Sequence, residues 1–197
     1  TENDNLAIGY NAMTTNTAGG TKNVAIGNYA LDALTSGDNN TAVGYDALSA
    51  NNTGYDNTAV GKDALLANTT GGDNTAIGAI ALAANTTGHE NVAIGRYALA
   101  VSTTGGKNIA IGRNALATNT TADGNTAVGR ASMQMNTTGE NNTALGRKSL
   151  FANTTASGSV AVGYNAMYSN TTGARNIAIG FEAYDASDTE NDNIAIG

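Results

Sequence analysis

A tripeptide of alanine, an aliphatic residue and glycine recurs along the whole chain at nearly constant spacing. The spacing between successive core glycines is 17 residues, except for a first interval of 18. These glycines are Gly9, Gly27, Gly44, Gly61, Gly78, Gly95, Gly112, Gly129, Gly146, Gly163, Gly180 and Gly197. A fixed short period is typical of a solenoid, in which each repeat forms one coil and contacts only its neighbours. We therefore interpret residues 1–197 as a single repeat domain of about 11 coils, and as a fragment of a longer fibrous protein.

The repeat consensus, N-[TVI]-A-[IV]-G-x-x-A-L-x-x-N-T-T-G-x-x, predicts β-structure. Its first five residues alternate with the period of a strand and include β-branched residues. The N-T-T-G segment is typical of a turn, because Asn tolerates the left-handed region and Gly supplies a positive φ. A helical hairpin repeat needs about 33 residues. We therefore expect coils of two short strands and two turns, with a short helical turn at A-L-x-x-N as an open variant.

The columns formed by equivalent residues predict how the coils pack. We expect the Ile and Leu columns to stack in the interior, where each buried side chain contributes about 1.5–3 kcal/mol. The invariant alanine column, from Ala7 to Ala195, is expected to form a flat outward stripe against which another chain packs. One asparagine column is expected to form an amide ladder between coils. It comprises Asn5, Asn23, Asn40, Asn57, Asn74, Asn91, Asn108, Asn125 and Asn142.

Composition excludes several classes of function. The formal net charge is -7, which argues against nucleic-acid binding, since that requires a basic surface. The chain has no cysteine, so disulfides do not hold the fold together. No apolar run approaches the roughly 20 residues of a membrane helix, so we expect no membrane insertion of this segment.

The repeated core N-x-A-[IV]-G-x-x-A, as at residues 91–95 and 176–180, resembles the head repeats of trimeric autotransporter adhesins. These form the YadA-like left-handed parallel β-roll. The core is equally similar to repeats of phage tail fibres. The similarity covers the whole chain, although the A-L-x-x-N-T-T-G arm is longer than in the YadA-like coil. It implies an all-β, left-handed parallel β-roll, an obligate homotrimer, an extracellular, cell-surface or virion location, and a role in attachment or as a rigid spacer.

Catalytic and metal-binding residues are not expected. The single histidine, His89, lies in a turn, and other repeats lack a histidine at that position. Asp38, Asp56 and Asp73 occupy variable turn positions, where solvent keeps carboxylates from acting as an acid/base pair. The turn around Asp73 and Asn74 is rich in oxygen but lacks the nonapeptide pattern of calcium-binding rolls. We predict that the chain is not an enzyme and holds no cofactor or metal.

The position after the core glycine is the candidate functional site. Four successive coils carry arginine there, at Arg96, Arg113, Arg130 and Arg147. Like charges stacked about 5 Å apart repel by about 0.8 kcal/mol even in water, so a counter-charge is expected. Three alternatives stay open: solvated side chains on a convex edge, pairing with acids of a neighbouring chain, and an anionic ligand such as a host-surface polysaccharide.

The N-T-T segments allow one further interpretation. Each forms a glycosylation sequon, and such density is more typical of a bacterial or viral protein. Regular rows of threonines also occur in ice-binding solenoids. Adjacent threonines in a strand, however, point to opposite faces and so do not form one row. We therefore predict a structural or adhesive segment of a homotrimeric surface fibre or tail fibre. The alternative is a monomeric ice-binding or other repetitive surface-recognition solenoid.

Overall fold

The computed structural model of the chain describes residues 4–15, 19–186 and 188–197. Over these residues the chain forms one parallel sheet of twelve short strands and no helix. The strands are β1 Leu6–Ile8, β2 Val24–Ile26, β3 Thr41–Val43, β4 Thr58–Val60, β5 Thr75–Ile77, β6 Val92–Ile94, β7 Ile109–Ile111, β8 Thr126–Val128, β9 Thr143–Leu145, β10 Val160–Val162, β11 Ile177–Ile179 and β12 Ile194–Ile196.

The strands stack in the order of the sequence, and each pairs in parallel with the next. Equivalent residues face one another across every pair; Ala59, for example, lies opposite Ala76. The chain is therefore a parallel β-solenoid with a 17-residue period, as the spacing predicts. The left-handed sense that the family resemblance implies stays a prediction.

The longer first repeat keeps the same register, because Ala7 still lies opposite Ala25. Thr15 continues the inter-coil bonding by donating its backbone N–H to Asp32 O, and Asn5 reaches Gly20 O with its side-chain amide. The extra residue therefore falls within residues 16–19. Of these, 16–18 lie outside the described residues.

Each coil holds one strand, so the expectation of two strands per coil is wrong. After the core glycine the backbone adopts positive φ at two nearby residues, such as Tyr97 (62°) and Leu99 (50°). Ala98 and Leu99 are adjacent in sequence, yet both are fully buried. A strand cannot do this, because its successive side chains alternate between faces. The left-handed residues thus replace the second strand with an arm that directs two neighbouring side chains inward.

The arm is bonded to its neighbours although it is not a strand. Leu99 donates its backbone N–H to Ala115 O (3.1 Å), and Thr103 donates its own to Thr120 O (2.8 Å). On the other side of the coil, Lys107 donates to His89 O in the preceding coil (3.0 Å). Backbone hydrogen bonds therefore join successive coils around most of their perimeter, which satisfies polar groups that burial would otherwise penalise.

The central alanine of each strand points into the solenoid. Ala93 is completely buried, while Val92 and Ile94 on either side of it are only partly buried. The expectation of an outward alanine stripe and an inward isoleucine column is therefore wrong. The coil is narrow, and the arm fills it with residues such as Ala98 and Leu99. Only a small side chain fits opposite them, and the β-branched residues lie outside.

The predicted asparagine ladder is confirmed. Asn91 donates both its backbone N–H (3.0 Å) and its side-chain amide (3.1 Å) to Asn74 Oδ1. The same side-chain amide donates to Gly105 O in the next coil (2.9 Å). Each asparagine thus joins three coils and satisfies buried backbone groups, which makes the column part of the core.

A second asparagine ladder runs along the arm, at the first residue of the N-T-T segments. Asn68 donates to Asn51 Oδ1 (2.8 Å) and to Gly71 O (2.9 Å), and it is fully buried. Sequence reasoning assigned this residue to a surface turn and a sequon. Its burial leaves the amide inaccessible for glycosylation in the folded chain. The signal was present in the sequence, because asparagine recurs in this column at the 17-residue period in most coils.

The two glycine columns serve different purposes. The core glycines have positive φ, for example 124° at Gly95, and a Cβ there would lie 2.8 Å from the carbonyl carbon of Gly112. Gly71 of the N-T-T-G segment does not have a positive φ, so the expectation that this glycine supplies one is wrong. A Cβ on Gly71 would instead meet Gly88 O and the Asn68 side chain. Close approach between coils therefore explains this second column.

Candidate functional site

The outer face of the sheet is a continuous aliphatic surface. We call this surface the aliphatic face; it consists of the first and third residues of every strand. Their side chains are partly or fully exposed, with Ile77 at 39% and Leu145 at 48% of full exposure. The first residue varies between Thr, Val, Ile and Leu, whereas the third is always Ile, Val or Leu. The surface available to a partner is therefore this face, and not the buried alanine column.

The four arginines lie along one edge of the aliphatic face, two residues beyond the end of each strand. All four side chains are exposed. Lys62 occupies the same column two coils before Arg96 and is also exposed. We call these five residues the basic rim. The structure thus brings the predicted site residues into one file, in which parallel strands are spaced about 4.8 Å apart.

Two of these arginines contact aromatic rings. The Arg96 guanidinium lies 4.7 Å from the centre of the Tyr97 ring and donates to its hydroxyl group (3.1 Å). The Arg147 guanidinium lies 5.5 Å from the centre of the Tyr164 ring, and that ring stacks on Phe181 with 5.3 Å between centres. These contacts hold the two end arginines of the file against the surface without neutralising them.

None of the four arginines has an acidic partner in the described part of the chain. The ion pairs found there join Lys62 to Asp63, His89 to Glu90, and Arg175 to Asp192. Residues 91–122 contain no acidic residue at all. Acidic side chains of the described residues therefore do not neutralise this file of positive charge.

The opposite edge of the aliphatic face is mainly acidic. We call its exposed carboxylates the acidic rim: Asp38, Asp56, Asp73, Glu90, Asp123 and Glu140. Asp123 accepts a hydrogen bond from the backbone N–H of Gly106 (2.7 Å). Asp38 accepts from the backbone N–H (2.7 Å) and the hydroxyl of Thr21, which lowers the pKa of Asp38. The hydrogen bonds from Thr21 therefore stabilise the ionised form of Asp38.

The remaining predicted turn residues are placed as solvent-exposed groups. His89 Nδ1 lies 3.3 Å from Glu90 Oε1, and both side chains are 55% exposed. Asp73 is exposed, whereas the neighbouring Asn74 is buried and committed to the first ladder, so it is not free to bind calcium. Within the described ranges, no cluster of three metal-ligating His, Cys, Asp or Glu side chains occurs.

The paired threonines of the arm differ in exposure. Thr69 is partly buried and donates its hydroxyl to Thr86 O (3.0 Å), while Thr70 is exposed. The arm therefore presents a single file of free hydroxyl groups. A different set of outward threonines lies on the sheet, at the first position of β3, β4 and β5.

The described part of the chain contains no helix long and apolar enough to cross a membrane. Comparisons of the chain with protein-family models, with curated proteins and with solved structures find no match. The resemblance to adhesin heads and tail fibres therefore rests on the repeated core motif alone.

Proposed function

We propose that this chain is a structural or adhesive segment of a homotrimeric fibre on a cell surface or virion. In this arrangement three copies lie side by side, with their aliphatic faces directed toward a common axis. The observation that supports the proposal is the exposed aliphatic face, which runs the length of the solenoid. Large exposed apolar surfaces in soluble proteins are typical of interaction sites.

The length of this face suits a long side-by-side contact. Twelve strands stacked at about 4.8 Å give a rod roughly 50 Å long. Each strand spans three residues, about 10 Å, so the face itself offers about 500 Å². A standard interface buries about 800 Å² per partner. The proposed contact therefore includes residues that flank the strands as well as the aliphatic face.

The proposed mechanism is mechanical and needs no catalysis or cofactor. Stacked coils with bonded perimeters form a stiff spacer, and three copies on one axis display any surface patch three times. Such multivalency raises avidity without strong single contacts. A host-surface polysaccharide or receptor is the proposed target of the adhesive form.

Sedimentation velocity of the purified chain tests the assembly. We expect a trimer at micromolar concentration and a shift to monomer when Ile77, Ile94 and Ile111 are all changed to Thr. Threonine is β-branched and already occupies outward strand positions, so the coil is expected to remain folded by circular dichroism. The control changes Thr70, Thr87 and Thr104 to Ser on the arm, and it is expected to remain trimeric. A monomeric wild-type chain contradicts the proposal.

The second candidate is a monomeric ice-binding solenoid. It is favoured by one observation, the outward file of Thr41, Thr58 and Thr75 in register on adjacent strands. Valine or isoleucine replaces threonine at this position in other coils, such as Val92 and Ile109, and this mixture fits packing against protein better. Thermal hysteresis of a chain that sediments as a monomer is the result that supports the second candidate.

A further inference from the structure

We propose that the basic rim of one copy pairs with the acidic rim of the next, and that these charges make neighbouring copies lie parallel. This inference rests on the side-by-side assembly proposed above. It identifies the counter-charge that the arginine file lacks among the described residues, and it assigns a role to the carboxylates of the acidic rim.

Symmetry brings the two rims together. In a ring of identical copies whose axis runs along the rods, each contact joins opposite edges of neighbouring molecules. The residues that meet come from the same height, because a closed ring allows no net shift along its axis. A basic residue of one coil therefore faces the acidic rim of the equivalent coil in the next copy.

The sequence places opposite charges at matching heights. Four of the five coils with a basic-rim residue carry an acidic-rim residue just before the same strand. These pairs are Asp56 with Lys62, Glu90 with Arg96, Asp123 with Arg130, and Glu140 with Arg147. Within one copy the two members flank the strand on opposite sides, and none of these four pairs forms an ion pair among the described residues.

The coil of Arg113 is the exception, because its other rim carries Lys107. Both side chains are exposed, and in the proposed ring they face each other across the interface. Like charges at this height weaken the contact. The exception is informative, because it predicts that one substitution strengthens the assembly.

The aliphatic face cannot select the direction of the copies by itself. Its third column reads Ile, Val or Leu in every coil, so it looks nearly the same in both directions along the rod. Two copies packed face to face in opposite directions would place basic rim against basic rim and acidic rim against acidic rim. Juxtaposed like charges oppose that arrangement, while the parallel one brings opposite charges together.

Charge reversal tests the pairing. We expect Glu140→Arg and Arg147→Glu each to raise the dissociation constant about fivefold or more at low salt, and less at high salt, because screening weakens rim charges. The double variant, Glu140→Arg with Arg147→Glu, restores the pair in swapped form and is expected to recover most of the wild-type affinity. Glu140→Gln and Arg147→Gln, which lose charge without reversing it, are the matched controls.

Lys107→Glu is the complementary test. It supplies the missing acid opposite Arg113 and is expected to lower the dissociation constant severalfold, while Lys107→Gln gives a smaller gain. Both rims are exposed, so the folded monomer is expected to keep its circular dichroism spectrum in every variant.

The outcomes separate this inference from the proposed assembly. A monomeric wild-type chain overturns the assembly and the pairing together. An assembled wild type that is indifferent to the reversals, the swap and Lys107→Glu overturns the pairing alone. Loss of binding to polygalacturonate in Arg147→Glu, with assembly unchanged, also overturns it, because the basic rim is then a polyanion site.

Discussion

At the scale of single residues, side-chain size decides which strand positions face the interior. Thr75 and Ala76 are neighbours in β5, with Thr75 outward and Ala76 fully buried. We expect Ala76→Val to lower the free energy of unfolding by about 1–3 kcal/mol, because extra methyl groups overpack a closed interior. Thr75→Ile also adds bulk, but on the outer face, where Ile109 and Ile177 occupy the equivalent position, and it is expected to be nearly neutral. Chemical denaturation of dilute protein measures both, and equal effects would contradict the inward placement of alanine.

The same pair of neighbours shows what sequence reasoning could and could not establish. The alternation of Thr75, Ala76 and Ile77 predicts two faces correctly. It does not predict which face is inside, because alanine and isoleucine are both apolar. The answer depends on the arm, whose Ala81 and Leu82 already fill the coil, and on a change of backbone direction at positive φ that hydrophobic periodicity does not record.

A carboxylate in the second position of the arm is expected to make stability depend on pH. The pKa of Asp46 is raised, mainly by burial and then by the nearby charge of Asp63. The Asp46 carboxyl therefore binds its proton more tightly in the folded chain than in the unfolded chain. Above the pKa of the folded state, the ionised carboxylate opposes folding. As the pH falls through the folded pKa toward the unfolded value, this penalty disappears.

Asp46→Asn is accordingly expected to stabilise the fold near neutral pH by less than about 1 kcal/mol. The gain is small because the carboxylates of Asp46 and Asp63 are partly exposed and solvent screens their repulsion. The part of the gain that is due to charge should vanish near about pH 3, below the pKa of unfolded aspartate. Any benefit of asparagine at the positive φ of this residue is independent of pH. Thermal melts at both pH values separate the two effects, and a gain of equal size at both would contradict the electrostatic origin.

At the scale of one coil, the asparagine ladders connect the arm to the core. Between Asn51 and Asn170 the arm ladder is interrupted once, where Ser102 replaces the expected asparagine. Asn85 Oδ1 and Ser102 Oγ are buried there, and neither has a hydrogen-bond partner within the described chain. A buried polar atom without a partner costs about 1–3 kcal/mol.

Ser102→Asn is expected to repair this interruption. The new side-chain amide can donate to Asn85 Oδ1 and to Gly105 O, as Asn68 does to Asn51 Oδ1 and Gly71 O. We expect a gain of about 1–2 kcal/mol in the free energy of unfolding. Ser102→Ala removes only the serine hydroxyl and leaves Asn85 Oδ1 without a donor, so its gain should be smaller. A Ser102→Asn variant that is less stable than the wild type would contradict the prediction that the new amide completes the ladder at this position.

The two ladders also differ in how far sequence predicted them. The column of Asn74 was recognised because it precedes a strand. The column of Asn68 was assigned to a turn, since N-T-T-G has the composition of an exposed turn. Repetition of asparagine at the coil period indicates a buried ladder more reliably than local composition does, because only stacking lets each amide satisfy the next.

At the scale of the whole molecule, stability is expected to depend on whole repeats. Neighbouring coils contact only each other, so deletion of residues 79–95, which is one period, joins equivalent positions and preserves every column. We expect this variant to fold with the same spectrum and a slightly lower melting temperature. Deletion of residues 80–95 leaves one surplus residue at the corner after Gly78, and this should cause a much larger loss of stability. Similar melting of the two variants would contradict a fixed coil register.

The most direct test of the stacked-coil architecture is the distance between outward strand positions in different coils. The chain has no cysteine, so nitroxide labels can be attached to cysteines introduced in pairs at Thr41 with Thr126, Thr143 or Ile177. These pairs are five, six and eight coils apart. Pulsed electron spin resonance, with excess unlabelled chain to suppress contacts between copies, should give about 24, 29 and 38 Å, a constant step of about 4.8 Å per coil. Distances that do not grow by equal steps would contradict the solenoid.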